Sequence, residues 1–141
     1  MQTAAAIGGF LTVLGLAAQA HACVLLQDVD YSVLYRSDTI VRAKVVGYQS
    51  RPEQKDALFR LEIDQVLTGK SVERQIIEAR WERKYKPAPQ IWDGYTNVIV
   101  GLRLSNDAPA QIVRESCGFD GIVEDTPQDL SILLSQAPAG S

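Results

Sequence analysis

TIVRAKVVGYQSRPEQKDALFRLEIDQVLTGK, residues 39–70, is the stretch that decides the fold. Its first part, residues 39–49, is rich in β-branched residues and partly alternates between apolar and polar positions, which is typical of a strand. Its last part, residues 58–70, alternates more cleanly, with Phe59, Leu61 and Ile63 on one side. The polar residues 50–57 lie between the two parts, so the stretch predicts two antiparallel strands joined by a hairpin loop.

Three further strands and two short helices are predicted along the rest of the chain. The strands cover residues 74–82, 96–105 and 111–118, and Gly101 marks a bulge or a close approach within the second of them. One helix is expected between Val29 and Leu34. Another follows Thr126, an N-cap residue with Pro127 at the first helical position. Five closely spaced strands in a chain of 141 residues suggest a small closed barrel or a sandwich, and alternation does not choose between them.

The amino terminus has the pattern of a secretory signal peptide. Residues 4–18 are small or apolar, carry no charge and are too few to span a bilayer, and small residues follow at the exit. Cleavage after Ala20 or after Ala22 fits this pattern, whereas Ala20 disfavours lipid attachment at Cys23. The chain is therefore predicted to be secreted or periplasmic and not membrane-spanning. Its domains would be a signal peptide at 1–20, a barrel domain at 21–136 and a flexible tail at 137–141.

Charge argues against nucleic acid as the partner. The chain has 14 basic and 17 acidic residues and a net charge of -3, which disfavours binding to a phosphate backbone. One local exception is RWERKYK, residues 80–86. Cations and aromatic faces suit acidic or carbohydrate ligands, so this run is a candidate ligand patch; a solvated strand end with one buried tryptophan is the alternative. The patch residues are Arg80, Trp81, Arg83, Lys84 and Lys86.

Catalytic and metal-binding patterns are weak in this sequence. It has one histidine and neither a nucleophile elbow nor a phosphate-binding loop, which leaves scattered carboxylates such as Glu53, Asp56, Glu62 and Asp64. In an exported chain, Cys23 and Cys117 most simply form one disulfide. Two thiols and one histidine would leave a zinc site short of a fourth protein ligand. We therefore expect a non-catalytic domain without a cofactor or a bound metal.

The segment YRSDTIVRAKVVGY, residues 35–48, carries a resemblance to a known family. This segment resembles the first strand of tissue inhibitors of metalloproteinases and related netrin-like domains, in which a Ser-Asp pair precedes a β-branched run with Arg-Ala-Lys, an apolar pair and glycine. The order of later strands over residues 21–120 is also similar. The resemblance implies a five-stranded closed barrel of the oligonucleotide/oligosaccharide-binding (OB) type, all-β with short helices, followed by a carboxy-terminal helix.

The resemblance also implies a role for the new amino terminus. HACV, residues 21–24, is similar to the Cys-x-Cys-Val start of the mature inhibitors, with Cys23 at the cysteine that pairs with the last barrel strand, here Cys117. In those inhibitors the first residue chelates the protease zinc and the second enters the specificity pocket. The implied protease-contact edge is His21, Ala22, Cys23 and Val24.

These observations predict an exported, non-catalytic binding domain whose partner is an extracytoplasmic protein or a saccharide. A metalloprotease inhibitor that chelates zinc through a mature amino-terminal His21 is the first alternative. A carbohydrate- or ligand-binding module of the cell envelope is the second.

Overall fold

The computed structural model describes residues 31–83, 87–114 and 120–137. Within these ranges six strands carry the fold: β1 Thr39–Arg51, β2 Asp56–Gly69, β3 Ile76–Glu82, β4 Asn97–Arg103, β5 Ala110–Ile112 and β6 Ile122–Glu124. Three helical segments accompany them: the 3-10 helices Tyr31–Arg36 and Pro52–Gln54, and the α-helix α1, Pro127–Ser135.

Five of the strands close into a barrel. Their order is β1-β2-β3-β5-β4, and β4 pairs back onto β1 to complete the ring. The β3–β5 pairing is parallel and the other pairings are antiparallel. β6 pairs with the same strand as β5, at Val98–Val100 of β4. The fold is therefore the expected OB-like closed barrel with a carboxy-terminal helix, and the sandwich is excluded.

β1 closes the barrel because it pairs with β2 along one edge and with β4 along the other. Residues 39–44 pair with β4, and nearly the whole strand pairs with β2. The β1–β2 register shifts between Ile40 and Val41, between Arg42 and Ala43, and between Val45 and Gly47. Such shifts bend and coil a strand, so β1 can curve from one partner to the other.

Two apolar cores lie on opposite faces of the barrel wall. The barrel interior holds the larger core, whose fully buried large side chains include Val41, Phe59, Leu61, Val98, Val100 and Leu102. The second core lies outside, between the wall and the helical segments, and contains Tyr31, Val33, Leu34, Ile40, Ile99, Val113, Val123 and Leu133. Alternation along β1 and β4 explains this division, because neighbouring residues of a strand point to opposite faces.

The predicted helix after Thr126 is confirmed. The Thr126 hydroxyl accepts a hydrogen bond from the Asp129 N–H at 3.0 Å, which is the N-cap interaction that the sequence indicates. The Tyr31 hydroxyl donates to the Asp129 carboxylate and so joins α1 to the amino-terminal 3-10 helix. That segment was expected to be a helix near residues 29–34; the described part is a 3-10 helix from Tyr31 to Arg36.

Two strand predictions need correction. The fifth strand was predicted to cover residues 111–118, but β5 ends at Ile112. Past it, Arg114 forms an isolated bridge with Asp120, and residues 115–119 lie outside the described ranges. Here the Val113 N–H bonds to the carbonyl of Gly101, and a Cβ on Gly101 would lie 2.7 Å from Val113 Cγ2. Gly101 is thus a site of close approach. β6 was not predicted, because three residues carry too short a pattern to indicate a strand.

Several predictions fall on residues outside the described ranges. They are the signal peptide at 1–20, the segment His21 to Val24, Cys117, and Lys84 and Lys86. Most of the tail, residues 138–141, is outside as well. Among the described residues, no helix has the length and apolar character needed to cross a membrane.

Candidate binding surface at the β3–β4 connection

The structure divides the predicted ligand patch between the barrel interior and its surface. Trp81 points inward from β3 and is only 4% exposed, so it belongs to the core. Arg80 is exposed on the outer face, and Arg83 lies just past the end of β3. The Arg83 guanidinium lies 4.5 Å from the centre of the Trp81 ring, which is a cation–π contact. Only Arg80 and Arg83 of the patch are therefore surface cations in the described chain.

Trp81 is part of an aromatic cluster at this end of the barrel. Its centre is Phe59, whose ring centroid lies 4.9 Å from Trp92, 5.0 Å from Tyr48 and 5.7 Å from Trp81. The three contacts are edge-to-face, the arrangement that aromatic quadrupoles favour. Three strands and one loop thus meet in this cluster, which attaches the β3–β4 connection to the barrel.

Hydrogen bonds hold the connecting loop, residues 87–96, against β1 and against itself. The Tyr48 hydroxyl donates to the Pro89 carbonyl at 2.7 Å, and the Val45 N–H donates to the Thr96 carbonyl at 2.8 Å. Within the loop, Trp92 Nε1 donates to the Tyr95 carbonyl at 3.0 Å. The loop is therefore fixed at both ends and in its middle.

Gly94 allows the loop to turn this tightly. A Cβ at Gly94 would lie 2.2 Å from Cζ2 of Trp92, a distance that real contacts do not reach. The indole ring consequently packs directly on the glycine backbone.

The anchored loop exposes two large apolar side chains. Ile91 is 79% exposed and Tyr95 is 52% exposed. Neither residue was indicated by the sequence, although both lie in the longest segment between two predicted strands, residues 83–95. Aromatic residues inside a Pro-rich loop were the available signal. We define the β3–β4 surface as Arg80, Arg83, Ile91 and Tyr95.

Ion pairs beside this surface add two residues that the sequence did not indicate, Glu82 and Arg114. The Glu82 carboxylate pairs with two arginines: its Oε1 lies 2.6 Å from Arg80 Nη2, and its Oε2 lies 3.7 Å from Arg114 Nη2. These pairs are partly solvated, so they orient the side chains more than they stabilise the fold.

A partly buried carboxyl group lies next to the ion pairs. Burial raises the pKa of Asp120, an effect opposed by the Trp81 N–H and by the charges of Arg83 and Arg114. Trp81 Nε1 is itself buried and, among the described residues, has no hydrogen bond of standard geometry. The Trp81 N–H therefore affects the pKa of Asp120 without a hydrogen bond of standard geometry between the two groups.

The carboxylates considered for catalysis are spread along the first hairpin. Asp56 is buried and accepts both Arg51 Nε at 2.7 Å and Arg51 Nη2 at 2.6 Å, so it closes the hairpin. Glu53 lies exposed on the turn, and Glu62 and Asp64 point outward from β2. Over the ranges that the structure describes, no group of three or more His, Cys, Asp or Glu side chains could hold a metal ion.

No family model matches the chain, and no curated protein matches it.

Proposed function

We propose that this chain is an exported, non-catalytic binding domain that recognises a partner protein through the β3–β4 surface. The observation that carries the proposal is the exposure of Ile91 and Tyr95 on a loop that the barrel holds in place. Large apolar side chains on a rigid support lose little conformational entropy on binding, and residues of this kind dominate protein interfaces. The aliphatic Ile91, the more exposed of the two, favours a protein partner over a saccharide.

Basic residues that precede the loop in the sequence support an acidic partner. The run 80–86 contains four Lys or Arg residues and one Glu in a chain whose net charge is -3. A local excess of positive charge steers an acidic surface toward the apolar contact and speeds association at low ionic strength. We therefore expect the association rate to fall as salt is added.

Family membership and export belong to the same proposal. The segment 35–48 and the strand order of the barrel support a netrin-like domain, since that resemblance implies an OB-type barrel. The apolar amino terminus supports export, and export supports a disulfide between Cys23 and Cys117. Metalloprotease inhibition through His21 and Ala22 remains the alternative function. Its test is a mature chain extended by one residue before His21, which should lose zinc-protease inhibition if the free amine is a zinc ligand.

The experiment compares partner capture by three forms of the full mature chain. One is unaltered, one carries Ile91→Ser with Tyr95→Ser, and one carries Leu134→Ser. Leu134 is a matched control because it is 58% exposed on α1 and lines a pocket with Gly69, at the end of the barrel opposite the β3–β4 connection. Each form is immobilised and incubated with the extracytoplasmic proteins of the producing cells, and bound proteins are quantified by mass spectrometry.

We expect at least one acidic protein that the unaltered and Leu134→Ser forms retain and the double variant loses. Equal retention by the double variant would refute the β3–β4 surface as the binding site. Urea unfolding of all three forms shows whether the substitutions leave the fold intact.

A further inference from the structure

A second surface of interest lies at the opposite end of the barrel. Thr39 pairs with both Gly69 and Leu102, so the segments that follow β2 and β4 emerge at the same end. The β3–β4 surface lies at the other end, where Arg51 pairs with Asp56 and Asp56 pairs with Glu82. An open groove of about 860 Å³ separates residues 71–78 from residues 104–110.

The groove has an apolar floor and polar sides. Val72, Ile77 and Leu104 line it and also pack against the barrel core. Ser105, Asn106 and Asp107 lie on the β4–β5 loop, which forms one side. The other side is the amino-terminal part of β3, where Ile76 is 45% exposed.

The β3 side of the groove is a strand edge. β3 pairs with β2 along its whole length, from Ile76 to Glu82. Its described pairing with β5 covers only Ala79 and Arg80, because β5 begins at Ala110. Residues 76–78 therefore extend beyond the described β3–β5 ladder. The groove lies beside them, where β5 does not reach.

Hydrogen-bond alternation shows which backbone groups face the groove. The Ile63 N–H donates to the Gln75 carbonyl at 2.7 Å, so Gln75 directs its backbone polar groups toward β2. Successive residues of a strand direct these groups to opposite edges. The N–H and C=O of Ile76 therefore point away from β2 and into the groove, where an added strand could pair with them.

Asp38 holds the two sides of the groove at a fixed spacing. Its backbone carbonyl accepts from the Lys70 N–H at 2.9 Å, and its Oδ2 accepts from the Leu104 N–H at 2.9 Å. The Leu104 N–H is the main reason that the pKa of Asp38 is lowered. Lys70 and Leu104 begin the two segments that flank the groove, so one residue fixes both of them and the groove is preformed.

We propose that this groove binds an extended peptide segment of a partner protein, which adds as a strand along Ile76–Glu78 in line with β5. Main-chain hydrogen bonds supply affinity in such complexes, and pockets for alternate side chains supply specificity. Ile76 offers apolar contact to one peptide side chain, and the floor residues Val72, Ile77 and Leu104 offer it to another.

Charge and shape decide the chemistry of the occupant. The groove is lined by Arg60 and Arg74 and by Glu73, Glu78 and Asp107, so neither sign predominates, and Arg60 pairs in register with Glu78. A peptide with apolar side chains and little net charge fits this lining best. The strand edge lies between two flanking segments, which admit a single extended chain more readily than the sheet edge of a second folded copy.

The test begins with panning a phage-displayed library of short random peptides on the unaltered chain. Enriched peptides are synthesised and their binding is measured by fluorescence anisotropy. Hydrogen exchange then reports whether the amide of Ile76 becomes protected in the complex. We expect enriched peptides to be apolar and weakly charged, and to protect this amide.

Two variants at one position separate main-chain from side-chain contacts. Ile76→Pro removes an N–H that does not pair with β2, so the barrel should fold while strand addition is blocked. Ile76→Ser keeps the N–H and removes the apolar side chain. We expect peptide affinity to fall at least ~10-fold for Ile76→Pro, the loss expected when a strand-edge donor is removed, and to fall less for Ile76→Ser.

A scan of the peptide itself keeps the test independent of protein folding. Methylation of its backbone nitrogens at alternate positions should abolish binding for one set of positions and leave it for the other, as strand pairing requires. The proposal is overturned if no peptide is enriched, if both methylated sets bind equally, or if Ile76→Pro binds as the unaltered chain does. A concentration-dependent dimer in sedimentation that Ile76→Pro abolishes would instead assign the edge to a second copy.

Discussion

Phe59 connects the stability of the barrel to the order of the β3–β4 loop, and Phe59→Leu tests that connection. The side chain is fully buried and makes edge-to-face contacts with Tyr48, Trp81 and Trp92. Leucine keeps most of the apolar area but loses all three ring contacts. Each such contact contributes about 0.5–1.5 kcal/mol beyond burial, so the expected loss in unfolding free energy is about 2–4 kcal/mol.

The assay compares two substitutions on the same strand. Leu61 is also fully buried but contributes no ring to the cluster. Leu61→Ala should cost about 2–5 kcal/mol through its cavity. Urea unfolding gives the free energies, and near-ultraviolet circular dichroism and hydrogen exchange at residues 90–96 report on the loop. We expect Phe59→Leu to lose the tryptophan dichroism and loop protection, whereas Leu61→Ala should retain both under native conditions.

Two results would refute this reasoning. One is a loss of less than about 1 kcal/mol for Phe59→Leu, which would mean that the ring contacts contribute little beyond burial. The other is equal loosening of the loop by both variants, which would mean that loop order follows global stability and not the aromatic cluster.

Three further predictions concern the turn after β2, alkaline pH and the cysteines. Gly69 has φ of +91°, and a Cβ there would lie 2.2 Å from the Asp38 carbonyl oxygen. Gly69→Ala should therefore cost more than about 2 kcal/mol in urea unfolding, whereas Gly47→Ala, which meets only the flexible Arg60 side chain at 3.2 Å, should cost less. Burial, reinforced by the bond to Asp129, raises the pKa of Tyr31 to about 12 from 10.0, so the associated stability is fully present below pH 10 and is lost as pH rises toward 12. Tyr31→Phe should flatten this part of the stability profile, and an unchanged profile would contradict the assignment. The exported chain should begin at His21, and its intact mass should increase by about two mass units on reduction of the Cys23–Cys117 disulfide. An unchanged mass on reduction would contradict the predicted disulfide.

Local patterns predicted the parts of the fold that depend on short-range physics. Alternation along residues 58–70 requires one buried face, and β2 follows it with Phe59 and Leu61 inside the barrel. The Thr126-Pro127 pair determines where α1 begins because cap and φ preferences act within one turn. Glycine at position 101 indicated a bulge or a close approach, and the structure shows the close approach of Val113.

Pairing between strands distant in sequence decided two features of the fold that the alternation of apolar and polar residues left open: the strand β6 and the closure of the barrel. β6 is a strand only because Val98–Val100 of β4 provides its ladder. Both a barrel and a sandwich satisfy the same alternation, and the choice depends on β1 curving to pair with β2 and β4 together.

Of the two candidate surfaces, the sequence likewise predicted one part, and contacts between distant residues decided the rest. The sequence indicated the basic run at 80–86, since charge and aromatic content are properties of the chain alone. It left open whether Trp81 belongs to a ligand patch or is the one buried tryptophan of a solvated strand end, because a single tryptophan at a strand end is compatible with either face. Tertiary structure placed Tyr48 and Phe59 against Trp92, fixed the loop that exposes Ile91, and set Asp38 between Lys70 and Leu104. The sequence by itself determined the four longer strands, β1 to β4, and where turns and caps fall, because those depend on neighbouring residues. The short strands and the two surfaces depend on contacts between distant residues, which only the closed barrel brings together.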